Sequence, residues 1–225
     1  MLTRTTISHA SANEVASRRS VSGVPAVAAL EVMGAPMTFA RNSEIYGEGE
    51  PAEYIYKVVS GTVRTSKILA DGRRQIGSFY LPGDIFGLDV GDEHAFSAEA
   101  ITQSKVLVVR RSALIGLAAR DGNVARQLWT LTGNELARVQ DHILLLVKTA
   151  QERVVGFLLE MAKRAPAGDV VELPMSRQDI ADYLGLTIET VSRTLTMLEN
   201  DGTIELPTSR CVMLRKPAAL ARLNA

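Results

Sequence analysis

Between Ser176 and Asn200 the chain reads Ser-Arg-Gln-Asp-Ile-Ala-Asp-Tyr-Leu-Gly-Leu-Thr-Ile-Glu-Thr-Val-Ser-Arg-Thr-Leu-Thr-Met-Leu-Glu-Asn. Few folds accommodate that pattern. Ser176 suits an N-cap, because its hydroxyl can accept from the free N–H groups of a first helical turn, and Asp179 follows three residues on. Ile180, Ala181 and Leu184 share one helical face. Gly185 sits where a residue of positive φ closes a helix. Leu186 reads as a buried pivot, and Thr187 can cap a second helix whose inner face carries Val191, Leu195 and Leu198. Ile188, Glu189, Ser192 and Arg193 remain on the outer face. The spacing predicts two short helices around a tight turn.

Two readings fit that pattern. An ordinary helical hairpin would leave the outer face in solvent. A helix-turn-helix would present it to base edges, because the first turns of the second helix enter the major groove. The residue types suit the second reading. An arginine can grip the O6 and N7 acceptors of guanine with two donors, and a glutamate can accept from the N4 amine of cytosine. Glu189 and Arg193 are four apart and can also pair with each other, which would fix both rotamers without preventing base reading. Ser192 and Ile188 could touch a thymine methyl, while Thr190, Arg177 and Ser176, with the capping Thr187, are better placed for phosphates.

Glu189-Thr-Val-Ser-Arg193, inside the run from Asp182 to Leu195, resembles the recognition motif of the CRP/FNR family of bacterial transcription regulators. Its Glu-x-x-Ser-Arg form is similar to the FNR and FixK branches; the CRP branch carries Arg-x-x-Glu-Arg. The resemblance covers roughly residues 36–215. It implies an α+β chain with an N-terminal cyclic-nucleotide-binding-type β-roll (a jelly roll), a long central dimerisation helix and a C-terminal winged helix-turn-helix. It also implies double-stranded DNA, a second copy of the chain and RNA polymerase as partners. The operator it implies is palindromic, TTGA-N6-TCAA or similar, and serves genes of low oxygen, denitrification, nitrogen fixation or stress.

Composition sets outer bounds. The 225 residues carry 46% hydrophobic and 22% charged side chains, values of an ordinary globular chain. Net charge is zero, and residues 148–225 hold ten Lys/Arg against ten Asp/Glu, so any basic footprint must be local. Arg177, Arg193, Arg210, Arg215 and Lys216 are its candidates. No apolar run approaches the roughly 20 residues of a membrane span. The start lacks a basic segment followed by an apolar core, so no signal peptide is expected. The single Cys, Cys211, cannot form an internal disulfide, which fits a cytoplasmic protein; it reads as a small buried hydrophobe, with redox activity as the alternative.

Residues 1–24 read as a flexible arm, and Ala26–Met33 as a short helix leading into a β-roll over 25–120. Its clearest strands are Ile55–Val59, Gly61–Ile68, Gln75–Tyr80 and Lys105–Val109, with Asp71-Gly72 as a hairpin turn. Tyr46-Gly-Glu-Gly-Glu-Pro-Ala and Leu81-Pro-Gly-Asp-Ile-Phe-Gly resemble turns of the cyclic-nucleotide fold, although a plain β-sandwich without ligand fits the strands as well. In receptors of that fold a Gly-Glu pair holds the ribose and an Arg followed by Ser or Thr holds the phosphate. Here those positions read Gly87-Leu88 and Phe96-Ser97. Losing the bidentate guanidinium removes the strongest contact such a site offers, and Glu99 nearby would repel the phosphate. A degenerate pocket at Gly87, Leu88, Phe96 and Ser97 is expected, without cyclic nucleotide or other cofactor. The arm has no cysteine cluster for iron–sulfur, and His9, His94 and His142 are isolated, so no metal site is expected either.

Ala125, Trp129, Thr132, Leu136, Val139, Ile143, Leu146 and Ala150 recur at alternating spacings of four and three. That is a heptad seam on a helix over 121–147, and it fits a second copy of the same helix. Leu128, Leu131 and Leu145 flank it towards the chain's own β-roll. The remainder, 148–225, is expected to open with a helix over Val147–Arg164, whose Val154, Phe157, Leu158 and Met161 form a core stripe. Ala165–Asp169 ends that helix. A strand at Val170–Pro174 then leads into Ser176, and a β-hairpin wing forms from Thr203–Leu206 and Arg210–Arg215. No nucleophile, acid–base pair or metal cluster points to an enzyme. The chain is read as a homodimeric DNA-binding regulator; the alternatives are a small-molecule-gated regulator and a ligand-binding module that uses the altered pocket.

Overall fold

A computed structural model of the chain describes residues 30–164 and 170–224; the arm, most of the expected short helix and the turn at Ala165–Asp169 lie outside those residues. Leu30–Met33 is helical. Alternation of apolar and polar residues then builds eight strands, since successive side chains of a strand face opposite sides. They are β1 (Ala35–Phe39), β2 (Glu44–Tyr46), β3 (Tyr54–Ser60), β4 (Val63–Ile68), β5 (Arg74–Tyr80), β6 (Ile85–Phe86), β7 (Ser97–Ala100) and β8 (Ser104–Arg110). All pairings are antiparallel, and the strands form two sheets ordered β1-β8-β3-β6 and β2-β7-β4-β5. Tyr46, Tyr56, Val58, Val63, Tyr80, Phe86, Ala98 and Val106 fill the space between them.

The four predicted strands are present, each within two residues at its ends. β1, β2, β6 and β7 were not expected; three of them are too short for a period of two to declare itself. The Asp71-Gly72 turn is present as well: Gly72 has φ 84° and Asp71 accepts from the Arg73 N–H.

Helix α1 (Arg111–Ala118) follows, then the long α2 (Gly122–Leu146), which Asp121 caps by accepting from Asn123 N at 2.8 Å. Its 25 residues extend about 37 Å. Leu128 and Leu131 pack with Leu114, Val124 and Ile85 against the first sheet. The break after α2 corrects two boundaries. The next helix, α3 (Ala150–Arg164), starts three residues later than expected, because Thr149 and Glu152 form a reciprocal cap at its head. The heptad seam therefore stops at Leu146, and Ala150 belongs to the following helix.

Beyond α3 lie β9 (Val170–Glu172), α4 (Arg177–Leu184), α5 (Ile188–Asn200), β10 (Ile204–Thr208), β11 (Cys211–Leu214) and a terminal α6 (Pro217–Leu223), the last not expected. β9 joins the wing as a third strand, order β10-β11-β9. The core of this part does not close on itself. Val154, Phe157, Leu158, Leu184, Leu195 and Leu198 pack in one cluster with Ile76 and Phe79 of the second sheet, Ile101 just after β7 and Leu145 of α2. The helices thus dock on the outer face of that sheet.

Candidate nucleic-acid interface

Helix α4 starts as its sequence dictates. The Ser176 hydroxyl accepts from Asp179 N at 3.1 Å and donates to the Asp179 carboxylate at 2.8 Å, and Ser176 N donates to the same oxygen at 3.0 Å. The helix ends at Gly185, whose φ of 62° and ψ of 39° are strained for any side chain with a Cβ. Leu186 is half-buried, and the Thr187 hydroxyl accepts from Thr190 N at 3.2 Å to cap α5. Val191, Thr194, Leu195 and Leu198 turn inward.

The outer face of α5 carries Ile188, Glu189 and Arg193 in solvent, with Thr190 and Ser192 partly covered. No ion pair joins Glu189 to Arg193 among the described residues, so the mutual bridge that their spacing allows is not formed. The backbone N–H of Glu189 and the Thr187 hydroxyl hold the Glu189 carboxyl below the usual carboxylate range, which keeps it an acceptor. Around this face, Arg177 is partly exposed and Arg210 sits exposed at the wing tip. Arg215 is engaged by Glu205 at 2.8 Å, and Lys216 donates to the Asp201 carbonyl. The hydroxyls of Ser176 and Thr187 are spent on their caps.

The seam of α2 lies open in the single chain: Ala125, Trp129, Thr132, Leu136, Val139 and Ile143 are all exposed, Trp129 by 82%. A Cβ placed on Gly133 would meet nothing within 4 Å. Leu146 is half-buried at the end of the seam.

Between α2 and the β-roll lies a cavity of about 440 Å³, lined by Gly87, Leu88 and Phe96 together with Tyr46, Tyr80 and Val139. No Lys or Arg lines it; its carboxylates are Asp89 and Glu135. Ser97 is not part of the lining, since its hydroxyl accepts from Glu48 N at 2.9 Å. Glu99 also points elsewhere. β7 alternates, so Ala98 and Ala100 face the core while Glu99 reaches out to Arg64 at 2.8 Å. The expected repulsion by Glu99 is therefore wrong in position, and Asp89 and Glu135 take that place. The Tyr80 hydroxyl meets Glu135 at 3.0 Å, and burial followed by that charge pushes its pKa far up. His94 is buried against Asp89 (2.8 Å) and stacked on Tyr46, and His142 stacks on Tyr183 at 3.9 Å, so both serve the fold; His9 lies outside the described residues. Among the described residues no group of three or more His, Cys, Asp or Glu is arranged to hold a metal. No helix there is long and apolar enough to cross a membrane.

Two arginines of the β-roll that spacing does not single out, Arg64 and Arg74, join it to α4. Arg64 donates to Asp179 at 2.7 Å, and Arg74 donates to Asp179 and Asp182, both at 2.7 Å. The pairs are separated by 105 to 115 residues in sequence, so no local signal marks them.

A two-sheet β-roll, a long helix with an open apolar seam and a winged helix with a free polar face define a DNA-binding transcription regulator rather than an enzyme. The chain belongs to the CRP/FNR family, in its FixK branch. Residues 36–121 match the cyclic nucleotide-binding domain and residues 152–223 the Crp-like helix-turn-helix domain. The nitrogen fixation regulation protein FixK of Azorhizobium caulinodans is 53% identical over 220 residues, covering 95% of this chain and 88% of that protein. FixK of Rhizobium meliloti is 42% identical over 83% of this chain and 85% of its own length. The structure of FixK2 from Bradyrhizobium japonicum superposes with a TM-score of 0.82 at 50% identity, covering 85% of this chain and 98% of that one.

Proposed function

We propose that the chain acts as a homodimer on a two-fold operator of the form TTGA-N6-TCAA, and that it does so without a cyclic nucleotide. The observation that carries this reading is the outer face of α5, where Glu189 and Arg193 stand exposed and unpaired with one another. Arg193 reads the guanine of each half-site through its two donors, and Glu189 accepts from a neighbouring cytosine amine. Ile188 and Ser192 face a thymine methyl. Thr190, Arg177 and the backbone N–H groups behind Ser176 and Thr187 hold phosphates, as helix N-termini do. The seam from Ala125 to Leu146 pairs two copies, and a close crossing at Gly133 accounts for a glycine in a helix interior. Half-site centres about 10 base pairs apart fall one turn apart on one face of the duplex.

The divisions follow from this reading: an arm over 1–24, a β-roll over 25–120, the dimer helix over 121–147 and the DNA-binding part over 148–225. The cavity at Gly87, Leu88 and Phe96 offers a cyclic phosphate two carboxylates and no cation, which supports effector-free binding. Its volume and apolar walls favour one second reading, control by a neutral apolar molecule. In this reading the chain works in the cytoplasm with RNA polymerase as a partner, and the names of the FixK relatives support nitrogen-fixation genes as its targets.

A gel-shift series tests the reading. A TTGA-N6-TCAA duplex should take up two copies of the chain, and replacing the guanine in both half-sites should abolish the shift. Equal binding to a scrambled duplex would overturn it.

A further inference from the structure

Helix α4 is held at both ends by the β-roll, α2 and α3. At its head the Asp179 carboxylate has four partners. One oxygen accepts from Ser176 N and Oγ within the cap, and the other from Arg64 and Arg74 of the β-roll, each at 2.7 Å. Arg74 also bonds Asp182 one turn on, and Arg64 is anchored by Glu99. At its tail the Tyr183 carbonyl accepts from His142 Nε2 of α2 at 2.8 Å and from Gln75 of β5 at 3.3 Å, and Arg153 donates to the Leu184 carbonyl at 3.0 Å. These are carbonyls that a helix end leaves without internal partners.

The centre of the cluster is buried, with Arg64 and Asp179 only 11% and 6% exposed, while Arg74 and Glu99 at its edge are partly exposed; Arg64 Nε has no partner among the described residues. Burying three carboxylates and two guanidiniums is a poor way to gain stability, because desolvation offsets most of the attraction. What such a cluster supplies is direction, since planar guanidiniums accept carboxylates in few geometries. In this docked arrangement the outer face of α5 stays open, so the contact leaves the proposed reading face uncovered.

We infer that Arg64 and Arg74 are positioning residues for operator binding: by clamping α4 to the β-roll they fix where each recognition helix stands relative to the dimer helix. The separation of the two recognition helices, and with it the spacer length tolerated between half-sites, is thereby set by the β-roll without an effector. This inference rests on the two-fold operator reading above. Each added base pair moves a half-site by about 3.4 Å along the axis. It also turns that half-site by about 35° around the duplex, as about 10 base pairs make one turn. A rigid dimer must therefore discriminate sharply between spacers.

The test is binding of the full-length protein to duplexes with spacers N4 to N8. Wild type should prefer N6 over N5 and N7 by roughly tenfold or more, within the range usual for coupling between sites. Arg74→Glu, and the milder Arg74→Gln, should weaken N6 binding and bring N5, N6 and N7 within about threefold of one another. Discrimination at the half-site guanine should stay unchanged, which a general loss of folding would not allow. Arg74→Glu combined with Asp182→Lys should regain the N6 preference. Sedimentation and far-UV circular dichroism identify the variants that remain folded dimers. A folded Arg74→Gln dimer with the wild-type spacer profile would overturn the inference alone. Wild type that binds no member of the series would remove the operator reading and this inference together.

Discussion

Helices α4 and α5 are separated by three residues and begin alike, each on a hydroxyl that accepts from the N–H three positions on. Their charges are used differently. Asp179 and Asp182 of α4 are bound to Arg64 and Arg74 of the β-roll, whereas Glu189 and Arg193 of α5 take part in no ion pair among the described residues. One helix spends its polar groups inside the molecule to fix position; the other leaves them outside for a partner. That division is the structural content of a helix-turn-helix, and here the positioning half extends into a domain whose cavity is lined by no Lys or Arg.

The sharpest way to probe the contrast is within α5 itself. Leu198 is fully buried among Leu195, Val191 and the wing, so Leu198→Ala should cost roughly 2–5 kcal/mol of unfolding free energy in urea. Met197, exposed on the preceding position, should cost under about 0.5 kcal/mol on the same change. On the reading side, Arg193→Ala should lose roughly 1–3 kcal/mol per half-site in DNA titrations and relax discrimination at the guanine, with stability unchanged. An Arg193→Ala protein that bound TTGA sites normally would refute the assignment of that residue.

Smaller effects belong to α4. Ser176→Ala removes the hydroxyl of the capping box and should lower stability by about 1 kcal/mol, seen as a shifted urea midpoint at constant slope. The weakest effect expected is the response to acid at the tail of that helix. Burial pushes the His142 pKa below its ordinary 6.5, against the opposing pull of the Tyr183 carbonyl and Glu160. The unfolded chain therefore takes up the proton first as pH falls. His142 should add no pH dependence above about 6.5 and should lower stability progressively below it. His142→Gln should flatten that acid limb of the stability profile, and an unaltered limb would mean that the ring titrates freely.

Much of the reading half was legible because its signals are local: a cap, an apolar stripe, a glycine at positive φ, and four outward residues within two turns. The heptad on α2 was legible for the same reason, although its last position fell into α3 because Thr149 is also a good cap. The positioning half was not. Arg64 and Arg74 alternate with inward residues on their strands and look like ordinary solvent-facing charges until the register brings α4 over them. Glu99 faces away from the cavity because β7 is a strand, and four residues are too few for a period of two to declare itself in sequence. Local spacing marks Asp179 as a cap, but one of its two oxygens serves the β-roll.

The most direct measurement is a gel-shift titration of the purified dimer on TTGA-N6-TCAA, first without nucleotide and then with cyclic AMP. Tight binding that cyclic AMP leaves unchanged is the expected result, because the clamp on α4 is already formed and the cavity offers the phosphate no cation. Binding that appears only with nucleotide would contradict it.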